Sequence, residues 1–390
     1  MTHKKVLLKE NILKEIFMDN KNSIIAVLVL AALLLSLFTF FTSSEWAYKT
    51  SARAALLYCP DTSEILYSKN EDLRLPMAST TKIMTALIAI EEGDLDETVV
   101  INEAAVGIEG SSAYLKANET YTLRELLYAL LLQSANDAAV AIALHISDSI
   151  NQFVIKMNEK AVAIGAYNTS FKNPSGLDED GHYTTALDLA KIAAEALKNE
   201  HFANIVTTKA KTIQSLEGTI RNFVNHNKLL YKYDNCIGVK TGYTKKSGRC
   251  LVGAAEKDGI RLITVTLDAP DDWNDHIKML DLGFSLRHRV LLLDKNEIDI
   301  TLPVISGTSD QAKIINKEEL YAIIPKTKQS IRQDVILPDY LIAPINEGDT
   351  VGEISFYLGD KKIATTSLCL KEGVKYKSKN QKIRGNYARR

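Results

Sequence analysis

Residues 74–90 read RLPMASTTKIMTALIAI, and within them Ser79 and Lys82 form the only Ser-x-x-Lys sequence of the chain. The run from Ile83 onward is apolar on most sides, which predicts a buried helix. Residues three apart on a helix project from one face, so the hydroxyl and the amine should lie together. A serine at a helix start lies near the positive end of the helix dipole, and a desolvated lysine loses its proton more readily. The stretch therefore predicts an activated serine, although an N-cap serine followed by a solvated lysine is the simpler interpretation of the motif alone.

A second polar triplet, Ser134-Ala135-Asn136, separates two strongly apolar helical stretches, Leu123 to Gln133 and Asp137 to Ile146. Polar side chains between buried helices are unfavourable unless they are hydrogen-bonded or functional. The Ser-x-Asn pattern itself is weak, because it recurs at Ser68, Ser149 and Ser378. Taken alone, this triplet is explained equally well by a turn that connects two helices.

A third triplet, Lys240-Thr241-Gly242, is followed by Tyr243. It continues an apparent strand that begins at Cys236 and is predicted to lie beside the strand that begins at Cys250. On an edge strand these residues offer a cation, a hydroxyl and space for a ligand backbone. That combination suits a carboxylate on an extended peptide that pairs with the sheet edge. A surface turn is the better interpretation of the tripeptide by itself.

The order of the three motifs, the Ser-x-x-Lys tetrapeptide and then the two triplets, reverses these separate interpretations. Together they form the motif set of the penicillin-recognising serine acyl-transferases, and the sequence resembles the serine-type D-alanyl-D-alanine carboxypeptidases, the low-molecular-weight penicillin-binding proteins. The resemblance runs from about Arg53 to about Gly373. The stretches that support it are residues 74–82, 133–139, 173–177, 182–186, 238–244 and 343–352.

The resemblance implies a mechanism for the catalytic residues. Ser79 would attack the carbonyl of the D-Ala–D-Ala bond in a peptidoglycan stem peptide, and Lys82 would take its proton. Ser134, helped by Lys240, would relay a proton to the leaving amine. The acyl-enzyme would then be hydrolysed with release of D-alanine, and β-lactams would trap Ser79 because they mimic the substrate.

The resemblance also implies how the substrate is held. The backbone N–H groups of Ser79 and Tyr243 would form the oxyanion hole. Lys240 and Thr241 would hold the terminal carboxylate, and Asn136 the peptide amide. The implied substrate-binding residues are Asn136, Lys240, Thr241, Gly242 and Tyr243. No metal and no cofactor is expected.

The fold class that follows is α+β. A penicillin-recognising, β-lactamase-like catalytic domain, with an antiparallel sheet and a helical subdomain, is expected over residues 53–289. Short alternating apolar runs separated by turn residues predict a small all-β domain over 290–373. Residues 374–390 form a basic tail in this scheme.

The start of the chain predicts a membrane segment. Ile24 to Phe41 holds 18 residues without a charge, which is just long enough to cross a bilayer. Basic residues prevail before it, which predicts a cytoplasmic leader over 1–23 and export of the rest. We therefore expect a signal anchor over 24–42, in preference to a cleaved signal peptide, and a polar stem over 43–52. The catalytic domain would then lie on the cell-wall side of a bacterial membrane.

Charge is distributed unevenly along the chain. The formal net charge is −1, but residues 1–23 carry +2 and residues 371–390 carry +7, which leaves −10 for the rest. Taken alone, the near-neutral balance of the whole chain argues against nucleic acid as a partner. The expected partners are instead the stem peptide, β-lactams as inhibitors and the membrane.

Three alternatives compete with the carboxypeptidase interpretation. A class A β-lactamase has the same three motifs, but the Glu-x-x-Leu-Asn loop that it uses for deacylation is absent from this sequence. A catalytically silent wall-binding protein would not need all of Ser79, Lys82, Ser134 and Lys240. A metallo-carboxypeptidase is disfavoured because the seven histidines are scattered without an HExxH motif. His182 lies in a family-like stretch but has no role assignable from the sequence.

Overall fold

Two apolar hairpins, far apart in the sequence, build the central sheet. The computed structural model describes residues 49–327 and 330–378. Strands β1 (Ala54–Cys59) and β2 (Glu64–Lys69) form one hairpin, and β8 (Gly248–Lys257) and β9 (Ile260–Leu267) form the other. With β7 (Cys236–Thr244) they make an antiparallel sheet of order β2-β1-β9-β8-β7. The third triplet therefore lies on an edge strand, next to the Cys250 strand.

The middle of the chain forms helices that pack on this sheet and on one another. The first, α1, is buried along almost its whole length, from Lys82 to Ile90. The second is capped at its N-terminus by Thr122, whose hydroxyl accepts from the backbone N–H of Glu125 in a capping box. The helices are α1 (Lys82–Glu92), α2 (Leu123–Leu132), α3 (Asn136–Ile146), α4 (Ile150–Ile164), α5 (Ala186–Ala196), α6 (Glu200–Thr207), α7 (Leu229–Lys232) and α8 (Asp272–Leu286).

Several elements depart from the sequence-based expectation. The helix expected from Ser79 starts later: Ala78–Thr81 is a 3₁₀ turn, and α1 begins at Lys82. Helix α4 buries few of its residues, so its apolar stripe is narrow. The sequence pattern therefore does not predict this helix. The short hairpins were also not predicted; these are β3 (Thr98–Val100) with β4 (Thr120–Thr122), and β5 (Ala210–Gln214) with β6 (Ile220–Val224).

A separate β-rich region follows α8, so the α+β class with a β-rich C-terminal part is confirmed. Strand β10 (Arg287–Leu293) pairs with β13 (Leu320–Pro325), and the other strands form a sheet of order β14-β16-β17-β12-β11-β15. This region has its own core, which includes Ile314, Ile354 and Leu368. Its remaining strands are β11 (Ile300–Ile305), β12 (Gln311–Asn316), β14 (Ile331–Ile336), β15 (Leu341–Ile342), β16 (Thr350–Leu358) and β17 (Lys361–Leu370).

The two regions are joined by an ionic contact at the first hairpin. Glu64 on β2 lies 3.2 Å from Arg287 Nε and 2.8 Å from Lys361 Nζ, so one carboxylate contacts the strands β10 and β17.

The four cysteines are free thiols. Cys236 pairs with Ala255 and Cys250 with Gly242, so the two thiols are not opposite one another across β7 and β8.

The structure divides after Thr50 into two units, and the residues of the site all belong to the unit that begins at Ser51. The expected anchor over 24–42 and the end of the expected basic tail, 379–390, lie outside the described residues. Within the described residues, no single helix is long and apolar enough to cross a membrane. A bent pair, Asn136–Ile146 with Ile150–Ile164, reaches that length and composition only in combination.

Candidate active site

The turn that carries Ser79 is strained and closely packed. Ala78, just before the serine, has φ +47°, a backbone conformation that residues other than glycine rarely adopt. Thr81 Oγ1 donates to the Ala78 carbonyl at 2.8 Å. Gly176 packs against the same carbonyl so tightly that a Cβ there would lie 2.0 Å from the oxygen. These contacts hold the half-buried Ser79 in one position.

Lys82 lies directly behind the serine and is fully buried. Its Nζ is 3.0 Å from Ser79 Oγ and donates to Asn136 Oδ1 at 2.6 Å and to the Ser175 carbonyl at 2.5 Å. Burial, and secondarily the charge of Lys240, holds the pKa of Lys82 well below its ordinary value. A neutral amine has two N–H groups and one lone pair. In that neutral form, Asn136 Oδ1 and the Ser175 carbonyl accept from the two N–H groups, which directs the lone pair at the hydroxyl of Ser79.

A second serine–lysine pair faces the first. Ser134 lies at the break between α2 and α3, with φ +64°, and is 5% exposed. Lys240 Nζ donates to Ser134 Oγ at 3.0 Å and to the Thr241 carbonyl at 2.9 Å. Burial lowers the pKa of Lys240 to about 7. The second and third triplets of the sequence thus meet through this hydrogen bond.

Strand β7 brings its edge against Ser79. A Cβ on Gly242 would lie 2.9 Å from the backbone nitrogen of Ser79, so only glycine leaves space between the strand and the turn. Tyr243 follows and is 67% exposed, while Thr241 is half-buried. The edge strand therefore presents backbone to the cavity beside Ser79, as an extended peptide would require.

Asn136 is bound differently from the role that the resemblance implies. Its Oδ1 accepts from Lys82, and its Nδ2 donates to the Glu109 carbonyl at 2.6 Å. The side chain is 4% exposed, so it orients Lys82 and anchors a loop. The next residue, Asp137, anchors the same loop by accepting from the backbone N–H groups of Ala113 and Leu115. The role of Asn136 in holding a peptide amide stays a prediction.

A cavity of about 340 Å³ opens above these residues. Of the residues predicted from the sequence, it is lined by Ser79, Ser134, Thr241, Gly242 and Tyr243. Lys82, Asn136 and Lys240 lie behind this lining, where burial lowers the pKa of both lysines. In the described ranges, no group of three or more His, Cys, Asp or Glu residues is arranged to hold a metal ion.

Arg249 is a lining residue that the sequence analysis missed. It lies opposite Tyr243 in the register of β7 and β8, and its Nη2 donates to Asp272 Oδ1 at 2.8 Å. Its guanidinium packs over Trp273, 5.5 Å from the ring centroid, and its buried Nε has no hydrogen-bond partner. Arg249 is the residue after Gly248 in a stretch without a recognised motif, so no local pattern distinguishes it from a surface arginine.

Two serine–lysine pairs facing one cavity, beside a sheet edge with a glycine, define a serine acyl-transferase site of the penicillin-recognising class. The comparisons with known proteins agree with this geometry. A family model described as D-alanyl-D-alanine carboxypeptidase matches residues 41–271. A second model, described as the C-terminal domain of penicillin-binding protein 5, matches residues 289–376.

Curated relatives share much of the chain's length. D-alanyl-D-alanine carboxypeptidase DacF of Bacillus subtilis is 35% identical over 85% of this chain and 88% of its own. DacB2 of Mycobacterium tuberculosis is 37% identical over 58% of this chain and 80% of its own. The chain belongs to the D-alanyl-D-alanine carboxypeptidase family, and it is a serine hydrolase.

Solved structures show the same architecture. Penicillin-binding protein 5 from Haemophilus influenzae aligns with a TM-score of 0.65 and 29% identity, over 84% of this chain and 98% of that one. The DD-transpeptidase of Streptomyces K15 aligns with a TM-score of 0.58 and 35% identity, over 61% of this chain and 98% of that one. The expected family and fold are therefore confirmed.

Proposed function

We propose that this protein removes the terminal D-alanine from peptidoglycan stem peptides through an acyl-enzyme on Ser79. The observation that carries the proposal is the 3.0 Å distance between Ser79 Oγ and the Nζ of the buried Lys82, whose pKa is lowered by burial. Lys82 takes the hydroxyl proton while Oγ bonds to the carbonyl carbon of the scissile D-Ala–D-Ala bond. The resulting oxyanion is stabilised by the backbone N–H groups of Ser79 and Tyr243, in the space beside Gly242.

Collapse of this intermediate breaks the C–N bond, and the leaving D-alanine amine needs a proton. Ser134 is placed to relay it, because its hydroxyl accepts from Lys240 at 3.0 Å and faces the cavity. The pKa of Lys240 is about 7, so this lysine can both give and regain a proton near neutral pH. Water then hydrolyses the ester on Ser79. A β-lactam opened by the same attack would remain on the serine as an ester.

Mass spectrometry after incubation with penicillin G tests the proposed function. We expect a mass increase of one whole penicillin, because opening the ring releases no fragment, and peptide mapping should locate it on Ser79. Release of D-alanine from a stem pentapeptide should continue in EDTA, because serine and lysine perform the chemistry. An adduct on another residue, or activity lost in EDTA, would contradict the proposal.

We assign the terminal carboxylate of the substrate to Arg249 together with Thr241. Both residues line the cavity, and Arg249 has a buried Nε without a partner. Asp272 and Trp273 hold the guanidinium in place, which leaves its remaining N–H groups for a ligand. Lys240 is less suited to this task than the sequence implies, because its Nζ is buried and already donates to two oxygens.

Replacing Arg249 with methionine should raise KM for a peptide that ends in D-Ala-D-Ala, with a smaller change in kcat. A hydrogen bond to a charged group contributes about 1.5–3 kcal/mol, so kcat/KM should fall about 10- to 150-fold. The matched control is Arg261→Met, which removes an arginine paired with Glu256 that does not line the cavity. A peptide with a C-terminal amide has no carboxylate, so an equal loss on that substrate would contradict the assignment.

Residues 24–42 are proposed to anchor the protein in the bacterial cell membrane, with the catalytic domain on the cell-wall side. The support is the uncharged run from Ile24 to Phe41 and the basic residues before it. Deleting residues 1–42 should leave an active enzyme in the supernatant after high-speed centrifugation, whereas the full chain should sediment with membranes. Membrane association that survives the deletion would contradict the anchor. The domain limits 53–289 and 290–373 also remain predictions.

A further inference from the structure

His182 is a buried imidazole that the proposed chemistry leaves unused. It is 6% exposed and packs edge-on against Phe171. Its Nδ1 lies 3.0 Å from the backbone nitrogen of Lys172, and its Nε2 lies 2.8 Å from Thr81 Oγ1. A backbone N–H only donates, so Nδ1 must be the unprotonated nitrogen. Nε2 therefore carries the hydrogen and donates it to the Thr81 hydroxyl.

Electrostatics around the ring agree with this neutral tautomer. Burial lowers the pKa of His182 to about 4, and Lys172, together with Lys82 when it is protonated, acts in the same direction. Asp178 and Glu179 act in the opposite direction but do not outweigh burial. The imidazole is therefore neutral at ordinary pH, with one donor and one acceptor, and both are used.

A second hydrogen bond links Thr81, the partner of His182, to the backbone of the turn that carries Ser79. Thr81 Oγ1 donates its single hydrogen to the Ala78 carbonyl at 2.8 Å. Toward His182 Nε2, the same oxygen is therefore the acceptor. The Ala78 carbonyl and the Ser79 N–H belong to one planar trans peptide unit and point in opposite directions. Holding the carbonyl therefore also fixes the direction of the Ser79 N–H.

The direction of the Ser79 N–H needs support from outside the turn, because the backbone at Ala78 is not in a conformation that alanine prefers. Ala78 has φ +47°, where a non-glycine residue is strained, and such a conformation persists only when surrounding contacts impose it. The N–H in question belongs to the Ser79 nitrogen that lies across from Gly242, beside the cavity. An external hydrogen bond to the Ala78 carbonyl is the simplest way to select one plane.

We propose that His182 is a positioning residue that, through the Thr81 hydroxyl, holds the Ala78–Ser79 peptide plane with its N–H directed at the oxyanion. This proposal rests on the role assigned to Ser79 above. His182 contacts neither substrate nor reacting atoms, and it acts only on the stabilisation of the transition state. Its loss should therefore slow acylation without weakening the initial binding of penicillin.

Two substitutions of His182 separate the two ends of the ring. In His182→Gln, the longer side chain can place an amide N–H where Nε2 donates to Thr81. In His182→Asn, the shorter side chain can still accept from the Lys172 N–H but cannot reach Thr81. A misdirected oxyanion donor should cost about 10- to 100-fold, somewhat less than removing one. We expect that loss in the acylation rate constant of His182→Asn, and a loss of less than about threefold in His182→Gln.

A second pair tests the middle of the chain of hydrogen bonds. Thr81→Val has the same shape without the hydroxyl and should lose as much acylation rate as His182→Asn, whereas Thr81→Ser keeps the hydroxyl and should retain most of it.

Stopped-flow kinetics with penicillin G separates the dissociation constant of the initial complex, expected unchanged, from the acylation rate constant. The fall in that rate constant on acidification, which reports Lys82, should occur at the same pH in every variant. Thermal unfolding identifies variants that simply fold poorly.

Equal losses in His182→Gln and His182→Asn would overturn the proposal, because ring packing would then be what matters. Full acylation by Thr81→Val, or a loss that appears mainly in the initial complex, would overturn it as well. Failure of the proposed function looks different, since the unaltered protein would then form no adduct on Ser79. The mass spectrum of that protein therefore distinguishes the two failures before any variant is measured.

Discussion

Replacing Ser79 with alanine should abolish both the penicillin adduct and the release of D-alanine. The substitution removes one oxygen from a half-buried position and leaves the hydrogen bonds of Lys82 to Asn136 and Ser175 in place. Without a nucleophile no acyl-enzyme forms, and a loss on the order of 10⁴-fold or more is expected in kcat. The rate of D-alanine release from a stem pentapeptide and the intact mass after penicillin treatment measure it.

The matched control for Ser79→Ala is Ser285→Ala, on helix α8. The Ser285 hydroxyl donates to the Leu282 carbonyl and does not line the cavity, so its removal should leave both measurements unchanged. Both variants should unfold within a few degrees of the unaltered protein. Activity of Ser79→Ala above a few per cent would show that another group attacks the peptide.

Replacing Lys82 with methionine should lower the rate of acylation about 10²- to 10⁴-fold, the usual contribution of a general base. Methionine fills a similar volume but has no lone pair able to take the proton of Ser79. It also leaves Asn136 Oδ1 and the Ser175 carbonyl without their donor, so some stability is lost as well. The second-order rate constant for acylation by penicillin G is the measurement that decides.

A second variant separates base catalysis from this loss of hydrogen bonds. Lys82→Arg keeps N–H donors but stays protonated, so it should acylate as slowly as Lys82→Met. Lys191→Met provides the control, since Lys191 likewise donates to a backbone carbonyl, that of Gly165, away from the cavity. Acylation by Lys82→Arg at close to the normal rate would exclude Lys82 as the base.

The parts of the site that were predictable are local in the sequence. Ser79 and Lys82 are three residues apart, so helical geometry alone places their side chains together. The two side chains are in contact even though Ala78–Thr81 forms a 3₁₀ turn. The edge strand followed from the apolar run that precedes Lys240. The contact between Ser134 and Lys240 spans 106 residues and was inferred only from the resemblance, because no local pattern encodes it.

The residues that were missed depend on distant partners. Arg249 is notable for its contacts with Asp272 and Trp273, the first two residues of helix α8, and a lone arginine in a strand carries no signal of that pocket. His182 meets Thr81 across 101 residues of sequence, so its hydrogen bonds cannot be read from composition or periodicity. The binding of Asn136 to Lys82 is also a tertiary contact, which the motif alone did not reveal.

Gly242 leaves the enzyme little freedom to become resistant to antibiotics. A side chain at this position would intrude on the space beside the Ser79 nitrogen, where a Cβ would already lie 2.9 Å away. Under the proposed mechanism, the carbonyl oxygen of the peptide and that of a β-lactam both enter that space, so excluding the drug there would also exclude the substrate. Selection for resistance must then act where the two acyl groups differ, such as the speed with which water clears the serine ester.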